Sequence, residues 1–536
     1  CAIGAIPTAE TSISCKLNSD SVPFSSRQAT INTLAGFDIY KTISPVAAIT
    51  PLNASSSGKL SISIAEPANL SKAYLDYFIL TYFHDNSMNG SQMRLGFNDL
   101  SVYDEITILD GDKNIQVWNI TDSNNPTRMR LTAKEEYDED LEENITVQDF
   151  YYGSNGNGEF IAFRPDGLLY EIDSYETVKN QNLHGEATPD FVIICPRNLH
   201  QQAERLAQLH RDKDGMQVLV ADQEDIFNEF SSGTPDATAY RLMLKMFYDR
   251  DPQKLKYLLM FGGGYFDNRQ ILRNKGDNFL LTYQSVIGYN NSLTYVSDDY
   301  FALLSDNSGS SITSDQLCLG VGRLPVITEE EARDIVDKIS SYIDNTDYSN
   351  WRNKMIIMDE FGDDNIHTFQ ATNLENLVAT TTAKDLDIKR LHVAAYTLVE
   401  SNANPVYAKG NKNTYAAKLQ LSDFLNEGAL YMTYMGHGGP TSLSKKYVWL
   451  TIDVKNTPLT RLPIMSIAAC DIANYDSNTR GIGEYMIITP GHGCIALLTS
   501  TRTVEATEND QINRDFIKAL FTTKSDGSTR TLGEAY

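Results

Sequence analysis

Apolar and polar positions are patterned differently in the two parts of this chain. Up to about residue 185 they alternate. Leu60, Ile62 and Ile64 are spaced by Ser in KLSISI, and EITILDGDKNIQVWNI and EFIAFRPDGLLYEI each read as two strands about an Asp-Gly turn. A β-rich accessory domain, sandwich or barrel-like, is predicted for residues 1–185, and no catalytic constellation is visible in it. From about 186 the apolar residues come instead in short unbroken runs: FVIIC (191–195), QVLV (217–220), KYLLMF (256–261), LCLGVG (317–322), KMIIM (354–358), ALYMTYM (429–435), PIMSIAA (463–469) and CIALLTS (494–500). Such runs suit parallel strands covered on both faces. Before KMIIM, Thr328 and Glu331 form a capping box, and Ala332, Ile335, Val336 and Ile339 follow at helical spacing. The pattern predicts α/β architecture with at least one parallel sheet. The polar break from Asp344 to Asn353 divides it into two subdomains, 186–349 and 350–536.

At 536 residues the chain exceeds what one hydrophobic core supports. The balance of 45 Lys and Arg against 70 Asp and Glu gives a formal charge of −25, which repels phosphate backbones and disfavours nucleic acid as a partner. Part of the excess lies in EEYDEDLEE (135–143), which reads as a solvated loop. The cysteines at 1, 15, 195, 318, 470 and 494 show no CxxC spacing, so zinc–thiolate chemistry is disfavoured. Cys1 and Cys15 are a candidate bridge in an oxidising compartment, whereas Cys195, Cys318 and Cys494 lie in apolar runs and read as buried thiols. The chain opens at Cys1 and closes in TRTLGEAY, which reads as a helix beginning, so a processed or trimmed product is expected.

Two strand ends carry chemistry. ALYMTYM runs into Gly436-His437-Gly438-Gly439, and PIMSIAA runs into Cys470. The carboxyl ends of parallel strands line the ligand crevice of an open sheet, so neighbouring strands would set imidazole and thiol in one cleft. A thiol is mostly protonated at neutral pH and needs such a base, which makes Cys470 the candidate nucleophile and His437 the candidate base. The amides of Gly438 and Cys470 are candidates for holding an oxyanion. Pro490-Gly-His492-Gly-Cys494 is a decoy: the His and Cys stand only two apart, and Cys494 opens the apolar run CIALL.

MGHGGPTSLS, SIAACDIANYDS and IGEYMIITPGHGCIALLTSTR stand in the order and spacing of the gingipain-type cysteine peptidases, which this sequence resembles over about 186–536. The resemblance implies a caspase-like (gingipain-type) α/β catalytic region of two subdomains. It assigns the dyad to His437 and Cys470, and it implies an acid after the first strand of the second subdomain, Glu360 or Asp359 in MIIMDEFGDDN, to orient the His. No cofactor is required for the chemistry, but structural calcium is implied, with Asp267, Asp298 and Asp299 as candidate ligands. Gly263 in FGGGYFD departs from the Asp often found there in the nearest members, and Pro440 follows the His loop glycines. IFNEFSSGTPDATAYR, YLLMFGGGYFDNR, YVSDDYFALL and GVGRLPVITEEEA point further, to the secretion sortases within this family. By that resemblance the chain is expected to be an exported, surface or outer-membrane-associated peptidase of the Bacteroidetes type IX secretion system. It would cut C-terminal sorting domains from exported proteins through a Cys470 thioester and pass them to water or a surface glycolipid, with outer-membrane secretion components as partners. A degradative protease and a non-catalytic surface scaffold or adhesin are the alternatives. FGDDNIHTFQ shows no pocket specific for Arg or Lys.

Overall fold

The computed structural model describes six short strands before residue 78 (2–5, 13–17, 20–22, 41–43, 60–64 and 73–77) and then residues 85–536. Excepted from the latter are 89, 101–102, 110–113, 139–141, 154–155, 168–171, 176, 273–277, 286–293, 311, 313, 361 and 401–411. The candidate bridge between Cys1 and Cys15 lies outside the described side chains. The chain divides into two compact units, one of residues 77–180 and the other of residues 2–76 together with 181–536.

In the smaller unit a four-stranded and a three-stranded antiparallel sheet share one core built from Met93, Leu95, Ile106, Ile108, Val117, Phe150 and Phe160. The ring of Phe150 meets that of Phe160 edge-on at 5.0 Å. The strands Asp104–Ile108 and Gln116–Asn119 both form, but they join different sheets and do not make a hairpin. In the second Asp-Gly segment Gly156–Phe163 is a strand, and the expected second strand falls largely on residues 168–171, outside the described residues. The acidic run is largely strand also. Thr132–Asp138 pairs with Glu143–Tyr152, with Glu135 opposite Thr146 and Glu136 opposite Ile145. Thr132–Asp138 is an edge strand, and charges facing water there discourage pairing with another chain.

All eight apolar runs of the α/β region contain parallel strands. β1 (Phe191–Cys195), β2 (Val218–Asp222), β3 (Tyr257–Phe261) and β4 (Gly320–Leu324) form one sheet in the order β2-β1-β3-β4. β5 (Lys354–Asp359), β6 (Asp387–His392), β7 (Tyr431–Met435), β8 (Ile464–Ala468) and β9 (Ala496–Thr499) form a second sheet, ordered β6-β5-β7-β8-β9. The strand β6 (DIKRLH), at the sheet edge, has no apolar run and is only partly covered. The polar break before β5 is a 3₁₀ turn at Asn350–Asn353.

Both sheets are covered on both faces, and side chains alternate between the two sides. Ile193 of β1, Ile356 and Met358 of β5, Tyr434 of β7 and Met465 of β8 join one shared core with the helices His200–Asp214, Glu329–Ile343, Tyr415–Glu427 and Ile482–Ile488. Val192 and Ile194 face a separate core with the helix Ala237–Arg250, and Met355 and Ile357 face another with Ile366–Val378 and Ala506–Leu520. The middle helical layer therefore serves both sheets at once.

One helix of that layer is held at its two ends. Thr328 caps Glu329–Ile343 through the Glu331 amide at 3.1 Å, and the Glu331 carboxylate reaches the Ile327 amide and pairs with Arg480. From the same helix Lys338, buried, donates to the carbonyls of Met486 (3.1 Å), Ile487 (2.7 Å) and His492 (2.9 Å), at the C-terminal end of Ile482–Ile488. At the other end Glu484 accepts from the Gly481 amide at 2.7 Å. An acid at the N-terminus and a cation at the C-terminus both complement the helix dipole. Burial pushes Glu484 up to about 7 and Lys338 down to about 8.

Lys338 gives a test of this arrangement. Its folded value is depressed, so between about pH 8 and the unfolded value near 10.4 the unfolded chain binds more protons, and stability rises with pH across that window by on the order of 3 kcal/mol. Lys338→Met should lack this rise and, having lost three acceptor contacts, be less stable at pH 10. Denaturant unfolding of both proteins at several pH values checks it; parallel curves would refute the assignment.

Candidate active site

Three neighbouring strands of the second sheet, β5, β7 and β8, deliver the site in the same order. Met435 of β7 pairs with Ala468 of β8, so His437 and Cys470 each stand two residues beyond one pair of partners. The Gly436 amide donates to the Ala468 carbonyl at 3.2 Å, carrying the pairing one step past the sheet. Adjacent strands lie about 4.8 Å apart, so the two chains leave the sheet side by side.

The His loop turns back at once. Gly438 and Gly439 pair with Leu443 and Ser442 around Pro440-Thr441, so Pro440 sits at the hairpin turn. Its carbonyl takes the Ile482 amide at 2.7 Å, which docks the hairpin on the helix that follows the Cys loop. Ser444 donates to the His437 carbonyl at 2.9 Å, which makes Gly438 and Leu443 a non-hydrogen-bonded pair and leaves the Gly438 amide outside the ladder. A Cβ on Gly438 would stand 2.6 Å from Ile472 Cδ1 and 3.1 Å from the Cys470 carbonyl oxygen, so only glycine allows this approach.

Cys470 is half-buried, and its sulfur lies 3.5 Å from the Val504 amide and 3.7 Å from the Val504 carbonyl. The turn after it is clamped. Asp471 takes a left-handed conformation (φ 55°), Arg502 forks onto Asp476 at 2.9 and 2.7 Å, and the Gly483 amide donates to Ile472 at 2.9 Å. Behind both loops, Ser466 and Asn513 bond at 2.8 Å, and each also bonds Thr433, fastening the helix Ala506–Leu520 to β7 and β8.

The two acids proposed from sequence lie at the end of β5, but neither touches the imidazole. Asp359, wholly buried, serves Arg390 (2.9 Å), His392 (2.6 Å) and Thr368 (2.8 Å). Glu360, also buried, accepts from Tyr434 (2.7 Å), Ser444 (2.7 Å) and the Lys445 amide (3.2 Å). The single Tyr434 hydroxyl proton lies between Glu360 and the His437 carbonyl, 2.8 Å from the hydroxyl oxygen, so Glu360 holds the backbone of the His loop and not its ring. The carboxylate on His437 Nε2 is that of Asp363, three residues on, and the imidazole holds it below the usual carboxylate range. Sequence reasoning passed over it. Its position depends on Asp363, Asp364 and Asn365 all adopting left-handed φ (49°, 53° and 63°), a cost of about 1 kcal/mol each. Asp and Asn tolerate that region best, so the run Gly-Asp-Asp-Asn at a strand end was the available signal.

The remaining candidates are spread out. Asp298 gives both oxygens to Arg323 at 2.7 Å, Asp267 takes the Leu272 amide at 2.7 Å, and Asp299 takes the Tyr536 hydroxyl at 2.9 Å while burial raises its pKa. Their ligand atoms do not gather: among the described residues such groups of three are Cys195–His200–Asp222 and Asp363–His367–His437. The three acids thus do not fit one calcium ion as they stand. At Gly263 a Cβ would meet Ile327 at 2.5 Å, so no Asp side chain fits there. Of the other thiols, Cys195 and Cys494 are fully buried and Cys318 only partly. Burial pushes Cys494 up to about 12, and desolvation with the Asp222 charge pushes Cys195 up further, so both are inert as nucleophiles.

The two acids after β5 are separable by mutation. Asp363→Asn keeps size and left-handed tolerance, so it should leave the melting temperature nearly unchanged while lowering peptide cleavage at least about tenfold. Glu360→Ala removes the acceptor shared by the buried Tyr434 and Ser444 hydroxyls and the Lys445 amide and should cost about 2–4 kcal/mol of stability. Calorimetry and turnover on both variants check this; a stable, slow Glu360→Ala beside a fully active Asp363→Asn would reverse the roles.

Among curated proteins none matches this chain. Among solved structures, dimeric latent PorU from Porphyromonas gingivalis is similar at 28% identity and a TM-score of 0.48, over 64% of this chain and 33% of that one. The complex of RgpB pro- and mature domains from Porphyromonas gingivalis is 16% identical over 62% of this chain and 69% of that one, at 0.46. The Arg-specific cysteine proteinase gingipain R is 15% identical over 67% of this chain and 72% of that one, at 0.49. The chain thus spans about a third of the PorU chain. The model of peptidase family C25 matches residues 184–536, about two thirds of the sequence and the whole of both parallel sheets. The chain belongs to peptidase family C25, the gingipain family of cysteine peptidases.

Proposed function

We propose that this protein is a cysteine endopeptidase of the sortase type, with Cys470 as nucleophile, His437 as base and Asp363 as the acid that orients it. The observation that carries the reading is the Met435–Ala468 register, which sends imidazole and thiol out of the sheet side by side. Asp363 accepts the proton on Nε2, and among the described residues no hydrogen bond falls on Nδ1. That nitrogen then takes the thiol proton as sulfur attacks the scissile carbonyl. The Gly438 and Cys470 amides face the oxyanion in this reading. The imidazolium returns its proton to the leaving amine, and a thioester remains on Cys470 for water or an amine to open.

The narrower role rests on the sequence segments IFNEFSSGTPDATAYR, YLLMFGGGYFDNR, YVSDDYFALL and GVGRLPVITEEEA. In this role the substrates are exported proteins with C-terminal sorting domains, the acceptor is water or a surface glycolipid, and type IX secretion components at the outer membrane are the partners. Gingipain-family proteins are extracellular or surface-associated, and among the described residues no helix is long and apolar enough to cross a membrane.

Incubation with a purified cargo protein bearing its sorting domain, followed by mass spectrometry of the new C-terminus, tests substrate and acceptor together. Cys470→Ala should abolish cleavage without unfolding the protein, whereas Cys494→Ala should keep it. Efficient cleavage of unrelated peptides with no cut in cargo would overturn the sortase role. Residual cleavage by Cys470→Ala would overturn the dyad. The rate should be bell-shaped in pH, with limbs belonging to the coupled pair, and His437→Ala should flatten it and slow it by about 10² to 10⁴-fold.

A further inference from the structure

We propose that Asp363, His367 and His437 form a reversible inhibitory site for a borderline transition-metal dication such as Zn²⁺. The proposal rests on the assignment of His437 as the base. His367 lies in the first turn of the helix Ile366–Val378 that follows the left-handed turn, is nearly fully buried (6% exposed), and sets its ring edge-on to that of His437 at 5.4 Å between centroids. One ligand atom from each of the three residues lies within 4.8 Å of the others. The nitrogens facing Asp363 Oδ2 are His437 Nε2 and, at 3.8 Å, His367 Nε2. Two imidazole nitrogens and a carboxylate oxygen are a ligand set that Zn²⁺ accepts at about 2.0–2.2 Å, leaving a fourth position for water.

The second observation is the orientation of the His367 ring. Gln370 donates its amide nitrogen to the Ala506 carbonyl at 2.9 Å, so its amide oxygen is the atom that faces His367 Nδ1 at 3.0 Å. The Nδ1 side is therefore engaged by Gln370, which leaves Nε2 as the ring nitrogen turned to Asp363, beyond hydrogen-bond distance and with room for an ion between them. An imidazole fixed through Nδ1–H to an amide oxygen is also how proteins present a metal-ligating Nε2.

Binding would stop the reaction by moving a proton and would need no change at the thiol. With Asp363 as partner, His437 carries its proton on Nε2 and keeps the Nδ1 lone pair. With Zn²⁺ on Nε2, the neutral ring must carry its proton on Nδ1, and the nitrogen that would accept the thiol proton becomes a donor. Asp363 is at the same time withdrawn to the metal.

Titration of Zn²⁺ into the Cys470→Ala protein, read by competition with a chromophoric chelator, tests the site without reference to turnover. One ion should bind, and His367→Asn in that background, which keeps a donor toward Gln370 and deletes Nε2, should bind at least tenfold more weakly; equal affinity overturns the site. Co²⁺ in the unmutated-His367 protein should give d–d bands without a thiolate charge-transfer band. A thiolate band would send the metal to Cys195, His200 and Asp222 and overturn the proposal, whether or not His367→Asn folds. In the active enzyme, zinc inhibition should reverse with chelator, and in His367→Asn it should need at least tenfold more zinc relative to that variant's own zinc-free rate. Unshifted inhibition despite lost binding refutes the inhibitory role, whereas an enzyme with no cleavage at all but intact Zn²⁺ binding refutes the peptidase reading and leaves the metal site standing.

Discussion

The site depends on one pairing: parallel strands β7 and β8 held in the register that sets Met435 against Ala468. A slip of one residue would turn every side chain of one strand to its opposite face. That is prevented from both sides. Tyr434 and Ile467 fill the core shared by the two sheets, while Thr433, Ser466 and Asn513 close a buried hydrogen-bonded ring on the other face. The polar ring rigidifies because every member has its partner, and an apolar substitute would pack but would not fix the helix Ala506–Leu520 in one place. The chemistry at the strand ends is therefore specified by packing well inside the sheet.

Around that pairing the loops are tied down by charged side chains and by backbone hydrogen bonds. Glu360 ties down the His hairpin, Arg502 clamps the turn after Cys470 through Asp476, and the helix Ile482–Ile488 receives both the Pro440 carbonyl and the Ile472 carbonyl. That helix is in turn neutralised at its ends by Glu484 and Lys338. Lys338 comes from the helix after the first sheet, so an element packed on one sheet contributes directly to the rigidity of a loop beside the other.

How much of this was legible in the sequence depends on the physics of burial. Strands covered on both faces read as unbroken apolar runs, and eight were found that way. The ninth, β6, was missed because its apolar run is broken by polar side chains, and its Arg390 and His392 are committed to Asp359. The placing of His437 and Cys470 at neighbouring strand ends was legible because each interrupts an apolar run among small residues. The carboxylate on the imidazole was not, because spacing along the chain says nothing of a left-handed turn that carries Asp363 back to the ring while the nearer Glu360 is drawn beneath the loop. In the amino-terminal part, Asp-Gly dipeptides suggested hairpins, but strand pairing there is decided by which face each strand buries.

Glu360 and Asp363 also differ in what water can reach. The residue that anchors the loop is sealed from solvent, and the residue that meets the imidazole rides on a turn whose Asp363 is half exposed. Dissolved ions therefore screen the contact to the ring while leaving the anchor beneath the loop untouched, so salt acts on the imidazole's partner and the hairpin keeps its place.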